Sequence, residues 1–316
     1  MEVEKMENKH SKKLLVAVDG SELSLQTAHY LSDLSFFSSY KVNFFHVFNK
    51  VPESYYDLAN ETIASNSIHY VHTWEAEQHK QLERYMDQCR QLLLAAGFHS
   101  DRIETTIHNR QRGVARDIIA EARKGYDALI TRRRGLSRIQ GLIMGSVAYK
   151  LLNGAGFIPL IFAGRKPFNR RILMAVDGSD NAMRAVAYTG EALQGAHCKI
   201  KLLSVLRGSR MIGDMSPDYF EKSESFGNSE KKILEAQARA REQLTASGIT
   251  PEAISTEIVK HATSRAGVLV EAAAKGNYNT IILGRRGMSG VHDFVIGRVS
   301  SKVLQIGREY GVWIIQ

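Results

Sequence analysis

Two stretches, TRRRGLSRIQGLIMGSVAYK at 131–150 and LGRRGMSGVHDFVIGRVSSK at 283–302, gather the residue types that could do chemistry. Each sets glycines, arginines and serines in front of a helical pattern. A phosphate needs backbone N–H donors at close range, which glycine permits, and a helix N-terminus adds donors and the positive end of its dipole. In the second stretch Gly284 and Gly287 are separated by two residues, nine follow, and Gly297 opens the final helix. In the first stretch Gly135 and Gly145 keep that spacing, but the front glycine is replaced by Arg132. The hydroxyl is distributed the other way, with Ser146 after Gly145 and Arg298 after Gly297. An arginine at either place fills the phosphate space or grips the phosphate itself.

Other groups could do chemistry and are weaker candidates. Asp19 and Asp177 end the motifs VAVDGS and MAVDGS. Neither motif holds a histidine or second carboxylate, so a ligand-contacting acceptor or a helix-start residue is expected rather than a general base. Ser137, Ser146, Ser289, Ser300 and Ser301 lie close to where a γ-phosphate would sit and could accept it. Against this, no dedicated base or metal-binding carboxylate accompanies them, and hydroxyls that satisfy helix N-termini are the plainer reading. His69, His72, Glu75 and His79 fall at same-face spacings on one helical segment. Zinc wants three convergent, supported ligands, so a solvated helix face is expected and no metal site is assigned. Cys89 and Cys198 are too few and too isolated for a disulfide framework and read as two reduced thiols.

The elements that position the two loops come from a repeat. KKLLVAVDGSE at 12–22 returns as RRILMAVDGSD at 170–180, and QLLLAAGFHSDRIETTI at 91–107 returns as EQLTASGITPEAISTEI at 242–258. Each copy begins with an apolar strand (14–18; 172–176) that ends at Asp-Gly-Ser, a turn and helix-start signal. A helix follows, then a second strand (42–48; 200–206), a variable loop, and a long polar helix stopped by Gly97 or Gly248. A third strand, a helix and a fully apolar fourth strand lead to the glycine loop, and a last helix and strand close the copy. Strand and helix alternate throughout, which is the pattern of a parallel sheet covered on both faces. Ligands are then expected outside the carboxyl ends of the strands.

With these motifs in order, twice, the chain resembles the universal stress proteins in a tandem form. The resemblance covers nearly everything beyond the N-terminal tail. It implies two doubly wound parallel-sheet α/β domains, Rossmann-like and of the adenine nucleotide α-hydrolase type, packed as an internal pseudo-dimer. It also implies an adenine nucleotide ligand, ATP or AMP with or without magnesium, in one subgroup and no nucleotide in another.

Carried onto the second copy, the family motif puts Asp177 at the base or ribose, with Ala175, Val176 and Val205 lining adenine. Leu283, Gly284, Arg286, Gly287, Gly297, Arg298, Val299 and Ser300 would surround the phosphates. In the first copy the matching set is Ala17, Val18, Asp19, Val47, Arg132, Arg134, Gly135, Gly145, Ser146 and Val147. Arg132 and Arg298 depart from the motif, and binding is expected mainly in domain 2. The implied role is a stress-response regulator with at most slow ATP hydrolysis. The alternatives are a nucleotide-free protein-interaction module, an autophosphorylating member, and an enzyme of the wider superfamily.

Composition sets the outer bounds. The chain has 316 residues, enough for two ordinary domains, expected as 12–164 and 170–316 with a tail at 1–11 and a linker at 165–169. With 44% apolar and 24% charged residues it reads as globular, and no apolar run approaches membrane-spanning length. The first dozen residues lack an apolar core, so a cytoplasmic protein is expected. The charge of +9 admits an anionic partner, yet no aromatic-interleaved basic stripe speaks for nucleic acid. The expected partners are an adenine nucleotide and a protein, and a second copy of the chain joined through residues 312–315 or another edge is left open.

Overall fold

The structure, a computed structural model, describes residues 12–50, 65–133, 144–206, 224–287 and 296–316, with only the helical backbone considered at 65–70 and 224–226. Ten strands and eight α-helices lie among them. The first half holds β1 (Lys13–Ala17), α1 (Glu22–Asp33), β2 (Lys41–Phe48), α2 (Ser65–Ala95) and β3 (Ile103–Asn109). It continues with α3 (Val114–Ala122), β4 (Ala128–Arg132), α4 (Ser146–Gly154) and β5 (Leu160–Ala163). The second half repeats the order with β6 (Arg171–Ala175), α5 (Asp180–Ala192), β7 (Lys199–Val205), α6 (Glu224–Ala246) and β8 (Ile254–Val259). It ends with α7 (Arg265–Lys275), β9 (Thr280–Gly284), α8 (Arg298–Ile306) and β10 (Gly311–Ile315).

The strands form one sheet in the order β3-β2-β1-β4-β5-β10-β9-β6-β7-β8. Every neighbour is parallel except the central pair, β5 and β10, which run antiparallel with Ile161 opposite Trp313. Residues 312–315, left open as a docking edge by the sequence, are therefore consumed inside the chain. Strands covered on both faces need near-continuous apolar runs, and β4, β5, β9 and β10 supply them. Alternate residues feed two cores. Leu14, Val16, Ile130, Ile161 and Trp313 face α1, α2, α5 and α6. Leu15, Leu129, Phe162, Ile281 and Val312 face α3, α4, α7 and α8. Both cores contain residues of both halves.

The seam itself is closely fitted. Trp313 is fully buried, donates from Nε1 to the Tyr30 hydroxyl at 2.9 Å, and packs against Phe36, Phe37 and Tyr188. Gly311 has no Cβ because the Tyr30 hydroxyl occupies that place. The short connection is pinned to both halves: Phe168 N–H donates to Asp33 Oδ2 at 3.1 Å, and Asn279 Nδ2 donates to the Pro167 carbonyl at 2.8 Å. No helix among the described residues is long and apolar enough to cross a membrane.

A continuous sheet and shared cores predict that the halves unfold together. In a Trp74→Phe background, where Trp313 is the remaining tryptophan, its fluorescence and far-UV circular dichroism should report one coincident urea transition. Trp313→Ala should lower that stability by ~3–5 kcal/mol. Two separated transitions would refute the single cooperative unit.

Candidate functional site

In each half the strand order reverses between the first and fourth strands, β1/β4 and β6/β9, and a crevice opens at their carboxyl ends. In the second half β6 delivers Ala175 and Val176 to this point. The Val176 carbonyl accepts the Ser204 hydroxyl at 2.5 Å, which fixes the strand end against β7. The turn to α5 passes through Gly178, at φ +81°. Asp177 locks it: Oδ1 accepts the Ser179 N–H at 3.0 Å and the Ser179 hydroxyl at 2.6 Å. Ser179 in turn caps α5 by accepting the Ala182 N–H at 3.2 Å. One carboxylate oxygen of Asp177 is thus spent on the turn. The other, Oδ2, stands where a Cβ on Gly287 would be.

The glycine loop leaves β9 on the far side of the crevice. Leu283 is buried at the strand end. A Cβ on Gly284 would lie 2.7 Å from the backbone of Asn181 and Ala182 in the first turn of α5. A Cβ on Gly297 would lie 3.2 Å from the Arg285 carbonyl. Close approach of backbone thus demands glycine at 284, while Gly287 and Gly297 sit tightly against the Asp177 carboxylate and the Arg285 carbonyl. Gly297 is also the N-cap of α8, so the N-cap residue itself brings no side chain to cap that helix. By contrast α1, α5 and α7 are capped by Ser21, Ser179 and Ser264. The N–H groups of Arg298, Val299 and Ser300 form the first turn of α8, with Arg286 and Arg298 exposed at its mouth. The Ser300 hydroxyl turns inward and donates to the Gly284 carbonyl at 2.8 Å, so only its backbone N–H faces the crevice.

The first half keeps the turn and changes the loop. Asp19 Oδ1 accepts from Ser21 N–H and Oγ at 3.1 and 2.6 Å, with Gly20 at φ +77°. His46 stands where the second half has Ser204, with Nδ1 3.1 Å from the Val18 carbonyl. Burial holds this imidazole below its ordinary pKa, so the neutral ring donates from Nδ1. Ala17 and Val47 are buried beside it.

Arg132 answers the question raised by its position. Its Nη1 donates to the Leu23 carbonyl and, at 2.7 Å, to Gln26 Oε1, both on α1. The guanidinium is engaged with the helix that Gly284 touches with bare backbone in the second half. Burial holds it below the ordinary arginine pKa. Gly145 caps α4 without a side-chain bond, Ser146 is exposed and Val147 half-buried. Arg134, Gly135, Ser137 and Ser289 lie outside the described residues.

Five participants escaped the sequence reading. Arg265, the first residue of α7, donates from Nε to the Val205 carbonyl at 3.3 Å, at the end of the crevice assigned to the base. Arg133 and Arg285, at equivalent places in the two arginine runs, are buried, and their side chains reach the opposite half. His46 and Ser204 share a role at equivalent places despite unlike chemistry. Among the described residues no group of three metal-ligating side chains converges, and His79 pairs with Glu83 at 3.1 Å. Cys89 and Cys198 are buried thiols, pushed up to about 12 and about 11 by burial.

Two parallel α/β domains, each with an Asp-Gly-Ser turn facing a glycine-capped helix across the switch point, define a paired doubly wound α/β fold. The model of the universal stress protein family matches residues 10–157 and again residues 169–306, and the chain belongs to that family in its tandem two-domain form. A universal stress protein from Archaeoglobus fulgidus DSM 4304 is similar at TM-score 0.64 and 18% identity, covering 97% of this chain and 99% of that one. A putative universal stress protein from Pseudomonas aeruginosa UCBPP-PA14 is similar at TM-score 0.56 and 17% identity, covering 97% and 93%. Identities this low speak for the fold alone. No curated protein matches the chain.

The contacts of Gly284 predict that its Cβ is penalised by backbone, not by flexible side chains. Gly284→Ala should cost ~1–3 kcal/mol in urea unfolding. Gly227→Ala, on α6 where a Cβ meets nothing within 4 Å, should be neutral or stabilising. Equal effects of the two would show that the approach to α5 is not a constraint.

Proposed function

We propose that the second domain binds an adenine nucleotide, ATP or AMP, and that the protein acts as a stress-response regulator in which the nucleotide is a conformational ligand. The observation that carries this reading is the glycine N-cap of α8, with Arg286 and Arg298 exposed beside it and Asp177 across the crevice. Helix N–H groups reached over a glycine suit phosphate oxygens, and two guanidinium groups add charge-assisted bonds. Asp177, Ala175, Val176 and Val205 would meet the ribose and base. Arg298, where the first copy has a serine, would then assist rather than exclude.

The first domain is proposed to stay without nucleotide. Arg132 is bonded to α1 and brings side-chain bulk to the place where the other half keeps bare backbone. This favours the nucleotide-free interaction module for that half of the chain, with domain limits near 12–164 and 170–316. Binding at the second domain would alter the surface offered to a protein partner. Phosphoryl transfer to Ser300 is disfavoured, because its hydroxyl is buried and already donates to Gly284.

Mass spectrometry of nucleotide released from freshly purified, denatured protein should find ATP or AMP near one per chain. By calorimetry, Arg286→Ala and Arg298→Ala should each weaken ATP by about tenfold or more while leaving adenosine little changed. No released nucleotide, together with no heat from ATP or AMP with and without magnesium, would refute the reading in favour of an interaction module.

A further inference from the structure

Each glycine loop is closed at its neck by one backbone hydrogen bond, Gly145 N–H to the Arg133 carbonyl at 2.7 Å and Gly297 N–H to the Arg285 carbonyl at 2.8 Å. In both loops the residue that supplies the carbonyl is a buried arginine, 6% exposed at Arg133 and 4% at Arg285. The hydrogen bonds these side chains make among the described residues run to the opposite half. Arg133 Nη2 crosses the seam and donates to the carbonyls of Arg308 and Tyr310 at 2.5 and 2.8 Å, in the turn between α8 and β10. Arg285 Nη2 crosses in the opposite sense and donates to the Leu152 carbonyl in the last turn of α4. Its guanidinium lies over Gly156, where a Cβ would come within 3.4 Å of Nη2. The crossing obeys the repeat, since 285 − 133 = 152.

As cement, these arginines are a poor choice. A buried guanidinium loses its hydration, and an apolar side chain of similar size at such a place is often neutral or stabilising. Burial pushes both groups down to about 10, and Arg133 Nη1 finds no hydrogen-bond partner among the described residues. What a hydrogen-bonded cation provides and an apolar residue does not is a fixed direction. The cation also suits the negative end of the helix it reaches. Arg285 is held on every side that matters to the loop: its N–H donates to Ile315 at 2.5 Å, its carbonyl holds Gly297, and its side chain is anchored in the first domain.

We propose that Arg285 and Arg133 are positioning residues that set the neck of each glycine loop from the opposite domain, so that phosphate binding in the second domain depends on the first. The phosphate part rests on the nucleotide reading above. Through its carbonyl Arg285 aims Gly297, and with it the first turn of α8, without touching the ligand. The effect of losing it therefore falls on the phosphates and spares the nucleoside.

The test uses the full chain with Arg285→Met, the milder Arg285→Lys, and Arg133→Met as the reciprocal control. It reads ATP and adenosine affinity by calorimetry and amide exchange at Gly297 and Gly145 by NMR. Arg285→Met is expected to weaken ATP at least tenfold, keep adenosine within twofold, and speed exchange at Gly297 at least tenfold. Arg285→Lys, which keeps the charge and serves if the methionine variant does not fold, should lose less than tenfold in ATP with the same sparing of adenosine. Arg133→Met should speed exchange at Gly145 and leave the second-domain readings within twofold.

Equal loss of ATP and adenosine, or equal loss in the Arg133 variant, would reduce both arginines to interface packing and overturn the proposal. If the wild-type chain binds neither ligand, the nucleotide reading fails and takes the phosphate part with it. Exchange at Gly297 then decides the anchoring: acceleration in the Arg285 variants upholds it, and an unchanged rate overturns it.

Discussion

The antiparallel pairing of β5 with β10 is the constraint from which the rest of the molecule follows, because it joins what would be two open edges. An unpaired edge this apolar would be an invitation to aggregate, and every residue of both strands is buried. Once the strands pair, Trp313 must find room among the aromatic side chains of both halves, and Gly311 must yield its Cβ space to Tyr30. The short connection between β5 and β6 can then lie pinned rather than free. The seam also places the C-terminal turns of α4 and α8 within reach of the arginines that leave β9 and β4. Each crevice is therefore built with its back against the other domain.

That arrangement changes what the glycine motif means. A glycine in such a loop is usually read as room for a phosphate. Here Gly284, Gly287 and Gly297 are each explained by the protein's own atoms: the start of α5, the carboxylate of Asp177 and the backbone of Arg285. The motif first brings the Asp-Gly-Ser turn, the strand end and the helix N-terminus into contact. Any ligand then meets a surface already assembled. Serines cap α1, α5 and α7, whereas the helices behind the glycine loops, like α3, begin at a glycine that brings no capping side chain.

Much of this was legible in the residues. The duplication, the alternation of strand and helix, the Asp-Gly-Ser turns and the glycine stops at Gly97 and Gly248 are local patterns, and they place nearly every element. Most strand ends fall within a residue of expectation, as with β6 at Arg171–Ala175 against an expected 172–176. What stayed hidden was direction. Whether Arg132 opens into the crevice or lies on α1 depends on which face of β4 it occupies and on how α1 packs, neither of which the run of three arginines declares. Arg133 and Arg285 were harder still, since their partners lie 175 and 177 residues away for the first and 133 for the second, across a domain boundary. The one clue was that both copies keep an arginine at the same offset from the strand end, where the strand's own alternation turns it toward the seam.

The two halves also show how a duplicated fold can diverge without losing its frame. Position 132 and position 284 have the same place in the repeat, and a Cβ at 284 would press on the backbone of α5. The first domain accommodates a full arginine there, so its α1 must leave the gap that α5 closes, and the guanidinium fills that gap with bonds to Leu23 and Gln26. The substitution is thus self-consistent as structure and costly as a phosphate site, because the charge is spent before a ligand arrives. Meanwhile the crossed arginines are retained in both halves. A domain that had given up its ligand would still be needed to hold Arg285, which gives the first copy a reason to persist as half of the second copy's site.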